Sequence, residues 1–525
     1  MSLLKKDLIT KKYIFSFLIL ILLIGSLLRF YGLSNQSLWL DELCSWKSGN
    51  YETLSEAIKH AASADVHPPG YHITLYLLEK YIGDTESILR LPSAISGVLA
   101  IFVIFLLGTR IYSYQEALIS SALMAVLWCP IYYSQEARPY SMLLLFTMLA
   151  TYYWIQMLRE LHEKEKVSFY VICFYSISAI ISSYLHYFGL YLIFLQGLVI
   201  TLFFIRSRRR LFYILLTYSL VICAYIPWIP VMLQQASHKM PYVFAPTPTR
   251  YAFIDYLQFL FNNSKSLTLI VLTFYLFLFV SNLYSVFRTK AYTNLKTLLL
   301  SPDMLVILWL IVPFIGAYVE SKLSNPILVN RNLIISLPAA YLLLSRSIVK
   351  LPVSSQKQMT IAVVIVGVFM LQLIYFQDYY SKPHKQQFRE AVNFIVNQDH
   401  LNDDSFIIDH LYNPAFLNYY FEKAGSKRRV SPEAYSVDVD VSSSRFIFYQ
   451  KIYNKKVELD KLLETAFNND ANAIKKRSPH FIWYVGYNSK NKYFDLLNSN
   501  FKLIDHKSFI DVEVFLFENC MSSKR

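Results

Sequence analysis

The chain carries Ser37-Leu38-Trp39-Leu40-Asp41-Glu42 and, further on, Asp65-Val66-His67-Pro68-Pro69-Gly70-Tyr71. Both stretches lie in a loop, residues 30–88, between long apolar runs. Adjacent carboxylates and a His-Pro-Pro turn have little structural use between membrane spans. A loop equipped this way on an apolar scaffold points to an enzyme whose substrate resides in the bilayer.

The scaffold follows from composition. Of 525 residues, 55% are hydrophobic, too many for one soluble domain of that length. About 18 or more apolar residues in helix cross a bilayer core. Such runs recur at 13–29, 89–109, 115–133, 140–158, 168–185, 187–205, 211–229, 266–287, 303–319, 331–348 and 358–376, which predicts about eleven transmembrane helices. The first run lacks a small-residue cleavage site and is expected to stay as an anchor. Basic residues cluster in alternate loops, among them Lys5, Lys6, Lys11, Lys12, Arg206, Arg208, Arg209, Arg210, Arg346 and Lys350. The positive-inside rule then sets the N-terminus in the cytoplasm and the chain after about residue 378 outside, as in a multi-pass protein of a bacterial inner membrane. The net charge of +14 reflects this bias, and nucleic acid is not expected as a partner.

Two domains are expected: a transmembrane catalytic domain, 1–378, and a small extracytoplasmic α/β domain, 379–525. Within loop 30–88, apolar residues at helical spacing predict two interfacial helices, over 51–62 and 71–82. A Pro-, Tyr- and Gln-rich loop, 229–265, is expected to fold over a cavity. In the C-terminal part, helices are predicted at 386–397, 414–423 and 459–467. Strands are predicted at 405–409, 446–449, 481–485, 501–505 and 512–517. The five cysteines make no disulfide framework.

Polar residues at span ends fall repeatedly on the same predicted outer face. They are Asp41 and Glu42; His67, Tyr71 and His72; Glu136, Arg138 and Tyr140; His186; and Arg331. Each set has a plainer reading. Asp41-Glu42 fits solvated loop charge, Glu136 and Arg138 fit an ion pair, His186 fits a packing residue, and Arg331 fits an interfacial anchor. Taken together on one side they favour a single outward-facing site. A carboxylate there suits a general base for an acceptor hydroxyl or amine, and arginine suits a phosphate. The inventory fits sugar transfer from a lipid-linked phosphosugar. It fits hydrolysis poorly, because the carboxylates are adjacent rather than flanking a bond.

The order Arg29…Ser37-Leu-Trp-Leu-Asp41-Glu42…His67-Pro-Pro-Gly-Tyr71…Arg90-Leu-Pro-Ser93…Ser134-Gln-Glu-Ala-Arg-Pro-Tyr140 resembles the GT-C membrane glycosyltransferases. The nearest branch is the bacterial family 39-like group, related to protein O-mannosyltransferases and lipid A aminoarabinose transferase. The resemblance is specific over residues 20–190 and diffuse later, where Asn330-Arg331 and Leu337-Pro338 match loosely. It implies an all-α polytopic fold with interfacial helices in the first outer loop. It also implies an inverting transferase that takes its sugar from a polyprenyl phosphate. Asp41, with Glu42 beside it, inherits the catalytic role. His67, Arg138 and Arg331 are expected at the donor phosphate, and Tyr71, His72, Glu136, Tyr140 and His186 in the substrate pocket. The aminoarabinose branch has Lys before the two prolines, so His67 matches the mannosyltransferase version. Some members hold a divalent cation near the carboxylates, but no ligand spacing here is diagnostic, and the metal stays open.

The expected partners are a polyprenyl-phosphate sugar, membrane lipids and an extracytoplasmic acceptor, whether glycolipid, envelope polysaccharide or protein. The alternative is a transporter or flippase for a polyprenyl-linked sugar. Such proteins carry polar residues at mid-membrane and internal repeats, neither of which is evident here.

Overall fold

The computed structural model describes residues 2–237, 247–289, 301–324, 326–398, 405–409, 414–427, 430–431, 456–486 and 492–519. In chain order the first helices are α1 (Ser2–Phe30), α2 (Leu40–Gly49), α3 (Leu54–Ala64), α4 (Gly70–Tyr81), α5 (Glu86–Ile111), α6 (Tyr114–Val126), α7 (Trp128–Ser134), α8 (Tyr140–Lys164), α9 (Phe169–Leu185) and α10 (Tyr187–Phe204). Among the described residues, nine helices are long and apolar enough to cross a membrane, or ten if the bent pair α6–α7 counts as one span. The chain is a multi-pass membrane protein. The remaining predicted run, 168–185, is α9, an apolar helix of 17 residues.

The bend of 57° between α6 and α7 has a local cause. Pro130 has no N–H for a continuous ladder, and its ring would strike the Val126 carbonyl, so the span breaks with Leu127 extended. A break inside a membrane frees backbone groups that lipid cannot satisfy. Arg29, fully buried, donates to the Met124 and Ala125 carbonyls at 2.7 and 3.0 Å. The Trp128 N–H donates to the Asn262 side chain at 2.7 Å. Arg29 thus serves as a cap on the C-terminal end of α6, where a cation is favoured.

The described residues divide into two compact units. One comprises Met1–Leu33, Leu54–Lys239 and Phe244–Tyr379; the other is built chiefly from Ser34–Thr53 and Tyr380–Arg525. Loop 30–88 holds three helices rather than the expected two: α3 and α4 fall near the predicted positions, and α2 is additional. Loop 229–265 contains the helices Ile229–Ser237 and Ala252–Leu260.

In the second unit, β1 (Ser405–Asp409), β2 (Phe481–Gly486), β3 (Lys502–Phe509) and β4 (Val512–Glu518) form one sheet of order β1-β2-β4-β3. β1 and β2 are parallel, and β4 is antiparallel to both of its neighbours. The helices Lys456–Arg477 and Lys492–Asn500 cover one face through Phe467, Ile474, Tyr493 and Leu497, which meet Phe406, Ile482 and Phe515. β1 and β2 are almost wholly buried. β3, one edge of the sheet, exposes Lys502 and Lys507, whose charges discourage strand addition. The strand expected at 446–449 lies outside the described residues.

Candidate active site

In the first unit the Asp65–Tyr71 stretch forms the turn from α3 into α4. Asp65 is its hub. One carboxylate oxygen accepts from His67 Nδ1 at 2.7 Å and from the backbone N–H of Val66 and His67 at 2.6 and 3.1 Å. The other accepts from His72 Nε2 at 2.9 Å. An ionised carboxylate only accepts, so His67 carries its proton on Nδ1 and its Nε2 presents a lone pair. Gln235 braces the turn by donating to the Asp65 and Ala61 carbonyls at 2.8 and 3.1 Å.

Pro68 and Pro69 set the turn, and Gly70 lets α4 begin against another backbone. A Cβ at Gly70 would lie 2.6 Å from the Tyr184 carbonyl oxygen, in the last turn of α9. That close approach brings the turn beside the α9–α10 joint. The His67 and His186 rings stand 5.0 Å apart, and the Tyr140 ring lies 5.9 Å from that of His186. His186 caps α10, its Nδ1 accepting from the Phe188 N–H at 3.1 Å. Its remaining N–H is therefore on Nε2, as a donor. Arg331, in the 3-10 turn Asn330–Ser336, sits over the Tyr140 ring at 5.7 Å. Arg138, buried in the α7–α8 connection, is close enough to act electrostatically on both His67 and His186.

The electrostatics are divided among these groups. Burial works against charge on Asp65, but the His67 and His72 imidazoles outweigh it and hold its carboxyl well below the usual range. Burial lowers the His67 imidazole from its ordinary value; Asp65 opposes this and Arg138 adds to it. Burial also pushes His186 well down, with His67, Arg138 and Arg331 contributing. At neutral pH the cluster thus combines two guanidinium cations, one carboxylate whose oxygens are occupied by N–H donors, and neutral imidazoles at His67 and His186. Such a set has the chemistry to receive an anion.

The structure therefore brings together His67, His72, Arg138, Tyr140, His186 and Arg331. Tyr71 is buried in the first turn of α4, and Glu136 is buried two residues before Arg138. Asp65 is the residue that sequence reasoning passed over as a site residue. Its signal was position, two residues before a histidine in a Pro-Pro turn.

Asp41 and Glu42 belong to the second unit, in the first turn of α2. There the two neighbours differ. Glu42 is fully buried, accepts from the Trp39 N–H at 3.3 Å and pairs with Lys385 at 3.2 Å. Asp41 is half-buried. Among the described residues, no group of three or more His, Cys, Asp or Glu side chains is arranged to hold a metal ion.

Residues 66–230 match the family model for dolichyl-phosphate-mannose-protein mannosyltransferase. No curated protein matches the sequence. Among solved structures, ArnT from Cupriavidus metallidurans in the apo state superposes with a TM-score of 0.55 at 11% identity, covering 98% of this chain and 99% of that one. The same protein bound to undecaprenyl phosphate gives 0.54 at 11% identity, covering 95% and 97%. The oligosaccharyltransferase of Archaeoglobus fulgidus gives 0.49 at 13% identity, covering 96% and 73%. The expected all-α polytopic fold with a small C-terminal sheet is the fold found, similar to that of ArnT, with nine or ten apolar spans among the described residues against the eleven or so expected.

Proposed function

We propose that this chain, whose fold is that of the GT-C membrane glycosyltransferases, is an inverting transferase using a polyprenyl-phosphate sugar. The observation that carries the reading is the Asp65–His67–His72 turn set against Arg138, His186 and Arg331. Its chemistry suits a lipid-linked phosphate, and the solved structure of similar fold binds undecaprenyl phosphate. The acceptor is an extracytoplasmic glycolipid, envelope glycan or protein.

In this reading Arg138 and Arg331 neutralise the phosphate, and His186 Nε2–H donates to one of its oxygens. The Asp41 carboxylate takes the proton from the acceptor O–H or N–H as that atom attacks the anomeric carbon from the face opposite the phosphate. The carbon–oxygen bond to the phosphate breaks, its electron pair stays on the phosphate oxygen, and the configuration inverts. His67, neutral at rest, takes a proton from bulk water on Nε2 as negative charge collects on the leaving phosphate, with Asp65 stabilising the imidazolium.

The test uses purified full-length protein in vesicles with labelled undecaprenyl-phosphate mannose, glucose and aminoarabinose. Its readout is a new glycosidic bond in envelope lipid, glycan or peptide acceptors. Transfer should appear with the wild type and vanish with Asp41→Asn. Accumulation of labelled lipid across the membrane without a new bond would replace the transferase with a transporter.

A further inference from the structure

The residues carrying Asp41 are tied to the C-terminal chain by a dense set of polar contacts. Leu40 N–H donates to Gln386 Oε1 at 2.8 Å, and Ser37 Oγ donates to the Gln386 carbonyl. Leu38 N–H donates to the Tyr420 hydroxyl at 2.6 Å. Gln36 Oε1 accepts from the backbone N–H of His384 and Lys385 at 2.9 and 3.0 Å. Arg389 donates to the Ser34 and Asn35 carbonyls at 2.9 and 2.6 Å. On the next turn Trp46 packs on Tyr419 with ring centroids 4.7 Å apart.

At the centre stands Glu42–Lys385, with side-chain exposures of 0% and 3%. A carboxylate buried this deeply is tolerable only with its partner, so the pair fixes where the first turn of α2 sits. Consecutive helical residues diverge by about 100° around the axis, because one turn takes 3.6 residues. Anchoring Glu42 therefore fixes the direction of Asp41, the half-buried neighbour. Gln386 fixes the start of the helix at Leu40 in the same way.

We propose that Lys385 and Gln386 are positioning residues for Asp41. The segment after the last span is the mount of the catalytic carboxylate rather than an appended acceptor module. The inference rests on Asp41 being the base, and it names what aims that base.

The experiment uses the full chain in vesicles and compares Lys385→Met, Lys385→Arg, Gln386→Ala and the double variant Glu42→Gln/Lys385→Met. Turnover is followed with whichever labelled undecaprenyl-phosphate sugar the wild type transfers. Cys44, exposed on α2, is alkylated with a maleimide and its peptide quantified, which reports the seating of the helix without any turnover. Lys385→Met should lower kcat at least tenfold, leave the donor KM within twofold and speed Cys44 labelling. Lys385→Arg should restore both. If Lys385→Met fails to fold, the double variant decides, because it removes both buried charges together. It should fold, label Cys44 faster and turn over at least fivefold more slowly.

Wild-type kcat and wild-type Cys44 labelling in the double variant or in Lys385→Met would overturn the proposal. So would a loss shared equally by kcat and donor affinity. Full activity in Asp41→Asn would instead remove the base assignment, while unchanged Cys44 labelling in Lys385→Met would remove the mount.

Discussion

Replacing Gly70 by alanine perturbs the site without touching any ionisable group. The added Cβ would meet the Tyr184 carbonyl oxygen at 2.6 Å, its carbon at 2.9 Å and the Leu185 nitrogen at 3.3 Å. All three are backbone atoms, so no side-chain end can swing away. Restoring ordinary contact requires α4 and α9 to separate by about 0.8 Å, at a cost of roughly 1–3 kcal/mol typical of overpacked interiors. His67 lies three residues before Gly70 and His186 two residues after Tyr184, so the separation opens the gap between their rings, now 5.0 Å. Misplacement near 1 Å can lower rates by about 100-fold. Gly70→Ala should therefore cut sugar transfer about 30- to 100-fold and weaken undecaprenyl-phosphate binding, with a smaller loss in thermal stability. Gly367→Ala is the control, since a Cβ there has nothing within 4 Å. Binding titrations and initial rates in vesicles make the measurement. Wild-type affinity and rate in Gly70→Ala would refute the claim that this helix contact sets the spacing of the imidazoles.

Asp65→Asn removes the charge that orients both His67 and His72. Losing two charge-assisted hydrogen bonds of about 1.5–3 kcal/mol each should weaken undecaprenyl-phosphate binding at least tenfold, read by titration. Arg331→Ala should weaken the same ligand, and Arg331→Lys should recover only part of it. An ammonium keeps the charge over Tyr140 but lacks the planar fork, and equal recovery would count against a forked phosphate contact. For pH, His67 and His186 sit below their unfolded value of about 6.5, so below that pH the unfolded chain binds more protons and stability falls as pH drops. Asp65, depressed, contributes stability above about 3.9 that is lost as pH falls through its lower folded value. Melting in detergent should thus drop from pH 7.5 to 5, less steeply in His67→Gln; parallel curves would reject the assignment. Away from the site, Arg346 pairs with buried Glu116 at 2.7 Å and with Asp303 at 3.2 Å. Arg346→Met should destabilise by on the order of 3 kcal/mol in unfolding measurements, and Glu116→Gln in the same chain should recover much of it.

The parts of this structure legible in sequence are those with local causes. β1 and the helix Pro414–Lys423 follow from short apolar periods between polar breaks, and most spans follow from length and hydropathy. The broken span reads as one run in sequence because hydropathy averages over Pro130, which ends α6 by geometry rather than polarity. Helix α2 escaped notice because its buried face includes Glu42, Ser45 and Ser48. That pattern reads as polar until Lys385, far away in sequence, neutralises the carboxylate. Asp65 escaped for the opposite reason: one acidic residue in a loop looks solvated, and only the fold turns two imidazoles onto it.

The identity of residue 67 then has a physical sense. A lysine there would add a permanent third cation beside Arg138 and Arg331, which would hold a phosphate tightly before and after transfer. A histidine whose Nδ1–H is committed to Asp65 is neutral in the empty site and becomes charged only when an anion offsets the cost of burial. In the proposed reaction its attraction is therefore largest as negative charge collects on the leaving phosphate, which is when stabilisation lowers the barrier rather than deepening the bound state. The same carboxylate that opposes the lowering of His67 by burial has both of its oxygens occupied by imidazole and backbone N–H groups. In the proposed transferase an acidic residue can thus stand beside the donor phosphate with its own charge already met by N–H donors.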